Sequence, residues 1–214
     1  MKFKLYDLGS VDFQSAWDFQ KKIFSQVKQK ELIWALILCQ HKPTITLGRT
    51  SEKENILVEK EQLEKLNIKT YEIERGGDVT YHGPGQLCIY PIVNLGYFKK
   101  DIHWFLRSLE ALLLGVLSEF KIKAKTLVGQ TGIWVGKKKI ASVGIAIRSW
   151  ITFHGASLNI KKDDLANFSL IRPCGLDIIM TSMEDILGEE VKIDKVKEVL
   201  IRRWYETSDF ARIR

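Results

Sequence analysis

Cysteine is scarce in this chain, proline scarcer relative to its usual share, and a long apolar run is absent. Three cysteines are an odd number, and their spacing shows no disulfide framework. They read as free thiols in a reducing cytoplasm. The longest apolar stretch, Leu32 to Cys39, is strand-length and falls far short of the roughly 20 residues a membrane-crossing helix needs. The first residues, MKFKLYDLGSVDF, lack the apolar core of a secretion signal. His41, His82, His103 and His154 are far apart, with no i, i+4 pair and no CxxC, so no metal site is expected. No basic helix or aromatic-interleaved nucleic-acid motif appears either. The reading is cytoplasmic, with neither a membrane nor a nucleic acid as partner.

What is present is an ordinary globular composition of 45% hydrophobic and 28% charged residues over 214 positions. That length suits a single domain over residues 1–214 with a sizeable core. The formal net charge of +7 favours anionic partners, whether nucleic acid, an anionic membrane surface or acidic proteins; the bland alternative is a solvated surface that is simply basic.

Residues 2–8 alternate as a strand. Phe13, Ala16, Trp17, Ile23, Phe24 and Val27 recur at helical spacing over about 11–29. Residues 31–39 read as a buried strand, and HKPTITLGR (41–49), broken by Pro43 and Gly48, as a loop or irregular strand. A short helix over 58–66 and strands over 68–74 and 87–95 follow. Asp101 caps a long helix reaching Phe120. Strands 133–135, 139–148 and 151–160 are joined by tight turns at 136–138 and 149–150. Residues 180–205 are mostly helical with a break at Gly188. Isolated strands, helices, a hairpin block and terminal helices predict an α+β fold.

The stretch RGGDVTYHGPGQLCIY, residues 75–90, is the most unusual in the chain. It holds four glycines and a proline beside Arg75 and His82. It lacks the Lys-Ser or Lys-Thr of a Walker loop, and a strand rather than a helix follows, which argues against phosphate binding. Glycines without Cβ let a thin ligand lie against backbone and leave N–H groups to point at a carbonyl. The bland alternative is a tight turn with satisfied polar residues.

Among the cysteines, Cys39 and Cys88 sit inside apolar runs and read as buried small hydrophobes. Cys174, between Pro173 and Gly175 in IRPCGL, is placed to be exposed, as a reactive thiol or as an inert loop thiol. A free thiol near pKa 8.5 is only a few per cent thiolate at neutral pH, so it needs a base or a positive charge nearby. Lys139 is one such charge. It ends the strand face Lys139, Ala141, Val143, Ile145, Ile147. It either serves a purpose there or snorkels out beside Lys137 and Lys138. His154, in FHGASLNI, reads as a slot residue or as a satisfied core histidine.

These stretches together resemble the lipoyl(octanoyl) transferase family. Its signature runs Arg-Gly-Gly, two residues, Thr, an aromatic, His, two residues, Gly-Gln, then Tyr, and Arg75 to Tyr90 meets it in full. HKPTITLGR, TGIWVGKKKIASVGIAI, FHGASLNI and RPCGL extend the resemblance over most of the chain. The resemblance implies a mixed β-sheet core flanked by helices, as in the catalytic domain of biotin and lipoate protein ligases. It implies Cys174 as acyl-thioester nucleophile and Lys139 as the lysine that lowers its pKa. Arg75, Gly76, Gly77, Asp78, Val79, Thr80, Tyr81 and His82 would line the acyl site, with Ser142, Val143, Gly144, Gly155, Ala156 and Ser157. No cofactor is implied. The donor would be octanoyl-acyl carrier protein. The acceptors would be lipoyl domains of 2-oxoacid dehydrogenase complexes and the glycine cleavage H protein. An ATP-dependent lipoate-protein ligase, or an amidotransferase between lipoyl domains, is the alternative on the same fold.

Overall fold

The computed structural model describes residues 2–173 and 178–207. Two stretches dominate its core because almost all of their side chains are apolar. They are β2 (Leu32–His41) and β6 (Gln86–Val93), which pair antiparallel at the centre of a seven-stranded sheet. Buried on both faces, such strands read as continuous apolar runs rather than alternating ones. The outer strands are β1 (Lys2–Val11), β7 (Lys125–Leu127), β8 (Gln130–Val135), β9 (Lys138–Arg148) and β10 (Ile151–Asn159). The order is β1-β2-β6-β10-β9-β8-β7, with β1 parallel to β2 and the remaining pairs antiparallel.

Alternation along β2 divides the core. Trp34, Leu36 and Leu38 pack with Phe105, Leu109, Leu113 and Leu117 of α3 (Ile102–Glu119) and with Trp204 of α5 (Ile193–Thr207). Ala35, Ile37 and Cys39 face the other way, onto Ala16, Ile23 and Val27 of α1 (Phe13–Lys28). Asp101 caps α3 as expected, its carboxylate accepting the Trp104 N–H at 3.0 Å.

A second sheet grows out of the first. Segment 41–49 contains β3 (Thr44–Leu47), regular rather than loop, and the glycine stretch contains β5 (Thr80–His82). β3 pairs antiparallel with β5 and parallel with β4 (Lys69–Glu72). The register almost carries over from Cys39↔Cys88 in the large sheet to Thr44↔His82 in the small one. The β2/β6 ribbon therefore continues into β3/β5, interrupted only at residues 42–43 and 83–85. Leu63 of α2 (Lys60–Lys65) and Phe168 and Leu170 of a 3₁₀ segment (Asp163–Leu170) cover the small sheet. The β9–β10 hairpin turns through Ser149 and Trp150, both at positive φ (53° and 62°), as a two-residue turn of the twist-matched kind demands. Helix α4 (Met183–Leu187) ends at Gly188, at φ 71°, where the sequence places the break.

Candidate active site

The crook where the ribbon passes between sheets leaves a cavity of about 490 Å³, within the range of small-molecule sites. Its floor is β9 and β10, with Ser142, Val143, Gly144, Gly155, Ala156 and Ser157 all lining it. In the antiparallel register Gly144 lies opposite Gly155, and Ser142 opposite Ser157. Gly155 has no alternative: a Cβ there would meet the Ile89 carbonyl oxygen at 2.1 Å.

The side wall is the glycine stretch, and it is held firmly. β8 pairs with β9 only as far as Ala141. Beyond that point Gly76 takes up the β9 edge, its N–H donating to the Ile145 carbonyl at 2.8 Å. Arg75 is 8% exposed. It donates through Nη2 to the Thr46 carbonyl at 2.8 Å and through Nη1 to the Gly76 carbonyl at 3.1 Å. The arginine thus clamps the loop between β3 and β9. The expectation that glycine N–H groups stay available to a ligand is corrected at Gly76, whose N–H is committed to the sheet.

Arg75, Gly76, Gly77, Asp78, Val79, Thr80 and His82 all line the cavity. Tyr81 does not. Alternation on β5 turns it into the small sheet's core, where its hydroxyl meets Asn167 Nδ2 at 2.8 Å. Burial and the neighbouring Asp164 carboxylate push the Tyr81 phenol well above its ordinary range.

Lys139 lines the cavity at 5% exposure, whereas Lys137 and Lys138 are exposed. It does not snorkel. Its backbone is bracketed by the chain that returns beside it: the Lys139 N–H donates to the Ile179 carbonyl and its carbonyl accepts the Thr181 N–H, both at 2.9 Å. A register shift modifies the strand-face reading. Ile133 faces Ala141 while Trp134 faces Lys139, so β9 carries one extra residue, Ile140. A bulge of this kind re-aims a side chain, and it puts Lys139 in a different setting from Ala141. The Trp134 ring lies 5.4 Å from Lys139 Nζ, within cation–π range.

Cys174 lies outside the described residues. Pro173 and Ile178, on either side of residues 174–177, both line the cavity. Cys39 and Cys88 are fully buried, as read from the sequence. Desolvation pushes the Cys39 thiol well up.

His154 combines its two sequence readings. It is 2% exposed, lines the cavity, and sits at φ 57°, a costly conformation for a non-glycine residue. Gln20 Oε1 accepts its N–H at 2.8 Å, and Nε2 lies 3.2 Å from Glu74 Oε2. Burial holds the imidazole below its ordinary value, and the bond from His154 holds the Glu74 carboxyl down. A carboxylate only accepts, so His154 donates through Nε2–H to Glu74.

Several lining residues carried no site signal in composition or patterning. Phe13 packs against His41 and His82 at 5.1 and 6.1 Å between ring centroids. Tyr90 reaches His41 Nε2 with its hydroxyl at 2.7 Å. Phe13 of α1, with Ile102 and Leu106 of α3, lies on a helix face that patterning cannot tell from core. Among the described residues no group of three or more His, Cys, Asp or Glu could hold a metal, and no helix is long and apolar enough to cross a membrane.

Comparison with known proteins supplies a family. The Lipoyl protein ligase A/B catalytic domain matches residues 12–204. The octanoyltransferase of Clostridium kluyveri is 43% identical over 190 residues, covering 88% of this chain and 81% of that protein. That of Caldicellulosiruptor saccharolyticus is 44% identical over 199 residues, covering 92% and 84%. Among solved structures, lipoate-protein ligase A bound with ATP superposes with a TM-score of 0.82 at 20% identity, over 97% of this chain and 85% of that one. Biotin protein ligase from Aquifex aeolicus superposes at 0.54 and 10% identity, over 96% and 68%. At those identities the structures speak for the fold alone, and they agree with the α+β fold read from the sequence and the mixed sheet with flanking helices that the resemblance implies. The domain match and the octanoyltransferase relatives together establish that this chain is an acyltransferase and belongs to the lipoyl protein ligase A/B catalytic domain family.

Proposed function

We propose that the chain transfers an octanoyl group from an acyl carrier protein to a lysine of a lipoyl domain, through a thioester on Cys174. The observation that carries this reading is a buried lysine in an apolar trench whose wall includes Pro173, the residue bonded to Cys174.

The dimensions suit the acyl group. An extended octanoyl chain runs about 9 Å, at the ~1.2 Å per bond implied by extended-chain geometry. The lining crosses from β9 over β10 to Tyr90 on β6, two inter-strand steps or about 10 Å. Each buried methylene contributes about 0.8 kcal/mol.

In the first step the Cys174 thiolate attacks the thioester carbonyl. A new sulfur–carbon bond forms, the carrier's sulfur–carbon bond breaks, and the carrier leaves as a thiol with a proton from the Lys139 ammonium. The Lys139 ammonium favours the attacking thiolate by its charge. In the second step the acceptor lysine's amine attacks the acyl-enzyme. A carbon–nitrogen bond forms, the Cys174–acyl bond breaks, and the amine's proton passes by way of Lys139 to the departing sulfur. The thioester is already activated, so neither step calls for ATP. The acceptors are lipoyl domains of 2-oxoacid dehydrogenase complexes and the glycine cleavage H protein. The net charge of +7 steers acidic donor and acceptor alike.

The test is intact-mass spectrometry after incubation with octanoyl-acyl carrier protein. The protein is expected to gain one octanoyl group without ATP, and Cys174→Ser to lose both the adduct and turnover. A Cys174→Ser protein as fast as wild type overturns the thioester route. Turnover that requires ATP places the chain with the ligases instead.

A further inference from the structure

Helix α3 buries an apolar face of Phe105, Leu109, Leu112, Leu113 and Leu117, and in the middle of it lies a glutamate. Glu110 is 1% exposed. A buried carboxylate costs several kcal/mol unless it is paired and hydrogen-bonded. Arg107, one helical turn back, supplies a charge partner, but half its side chain is exposed, and a surface glutamate would serve it as well. The reason for burial is the second oxygen. Oε1 accepts the backbone N–H of Gly132 at 2.9 Å, across 22 residues of sequence.

Gly132 is the point where β8 turns away from β9, and it stands at φ 122°, a region closed to side chains. A Cβ at this position would fall 2.6 Å from Lys139 Cε and 2.6 Å from the Ala141 carbonyl oxygen. The lysine's side chain therefore runs through the space that Gly132 leaves empty, with Trp134 on the same strand beside its ammonium. The bulge at Ile140 brings the lysine to this place.

We propose that Glu110 is a positioning residue for Lys139: it fixes the Gly132 peptide in the one conformation that gives the lysine its passage into the cavity. The inference rests on the reading of Lys139 given above. It assigns Glu110 no contact with substrate.

The experiment labels lysine with ¹³C at Cε and assigns the Lys139 resonance by its loss in Lys139→Arg. It then compares Glu110→Leu, Glu110→Gln and Gly132→Ala by that resonance and by acyl transfer. Glu110→Leu removes the acceptor, and Gly132→Ala fills the passage. Both are expected to move the Lys139 resonance away from its Trp134-shifted position. Both are expected to slow transfer about 100-fold, the cost of misplacing a reacting group by an ångström or so. Glu110→Gln keeps an oxygen for the Gly132 N–H and is expected to restore both readouts. Folded Glu110→Leu or Gly132→Ala protein with an unmoved Lys139 resonance overturns the proposal. Should both fail to fold, Glu110→Asp, which withdraws the oxygen by one methylene, is read by the same two criteria. A moved resonance with undiminished transfer upholds the placement of Lys139 by Glu110 and refutes the chemical part given to Lys139.

Discussion

The two sheets share one ribbon and each buries an apolar cluster, yet the small one is tied to the site by directed bonds. In the large sheet β2 and β6 bury nearly every side chain, on both faces, against α1 on one side and α3 and α5 on the other. Its stability is area, and non-directional. The small sheet is three strands of three or four residues. What joins it to the site is a guanidinium: Arg75 bonds to both the carbonyl and the hydroxyl of Thr46. Area tolerates small errors of geometry, whereas directed bonds set it. A site with one wall held at a fixed distance from another is served by the second kind there.

Three measurements break or sharpen this contrast. The largest effect is expected from Leu36→Ala, at a fully buried position of the large sheet. It should cost about 2–5 kcal/mol in denaturant unfolding, while the fraction that stays folded transfers acyl groups normally. Arg75→Lys should behave the other way. A lysine cannot reproduce the fork to Thr46, so about 1–3 kcal/mol of stability goes with the unmet acceptors, and transfer should fall well beyond what that loss explains. If Arg75→Lys unfolds the protein as readily as Leu36→Ala and leaves the folded enzyme's rate intact, the distinction between the sheets fails.

The smallest effect is a pH slope at the seam between them. His154 has its folded value held below its ordinary value of about 6.5. Its contribution is therefore full above that value and is lost as pH falls through the lower, folded value. Glu74 is also held down, and its contribution fades at still more acid pH. Glu74's side chain is 42% exposed, so solvent screens the pair. Thermal melts from pH 7 downward should show an early loss of stability that His154→Gln removes. An unchanged slope in that variant would detach His154 from it.

Much of this was legible in the sequence, for reasons tied to particular residues. Leu32–Cys39 and Leu87–Val93 are apolar without interruption, and only a buried strand or helix of that length explains them. Asp101 announced α3, and Ser149–Trp150 the hairpin. The three-residue strands β5 and β7 were invisible because three residues carry no period. β3 was read as loop or irregular because Pro43 and Gly48 flank it, yet its partners lie 25 and 38 residues away in pairs such as Thr44↔Lys69 and Thr44↔His82. In the site, the glycine wall was marked by composition, and the floor residues Ser142 to Gly144 and Gly155 to Ser157 only by the family resemblance. Phe13 and Leu106 were marked by neither, since an apolar residue facing a trench and one facing a core are spelled alike, and Tyr90 entered only as the last residue of the family signature. The bulge that separates Lys139 from the alternation of β9 comes from pairing with β8, which no local pattern records.

The attachment of Gly76 to β9 fixes the breadth of the cavity at that point. A wall stitched into a sheet cannot swing aside without breaking that stitch, so its spacing from the floor is set by the backbone rather than by side chains that could turn out of the way.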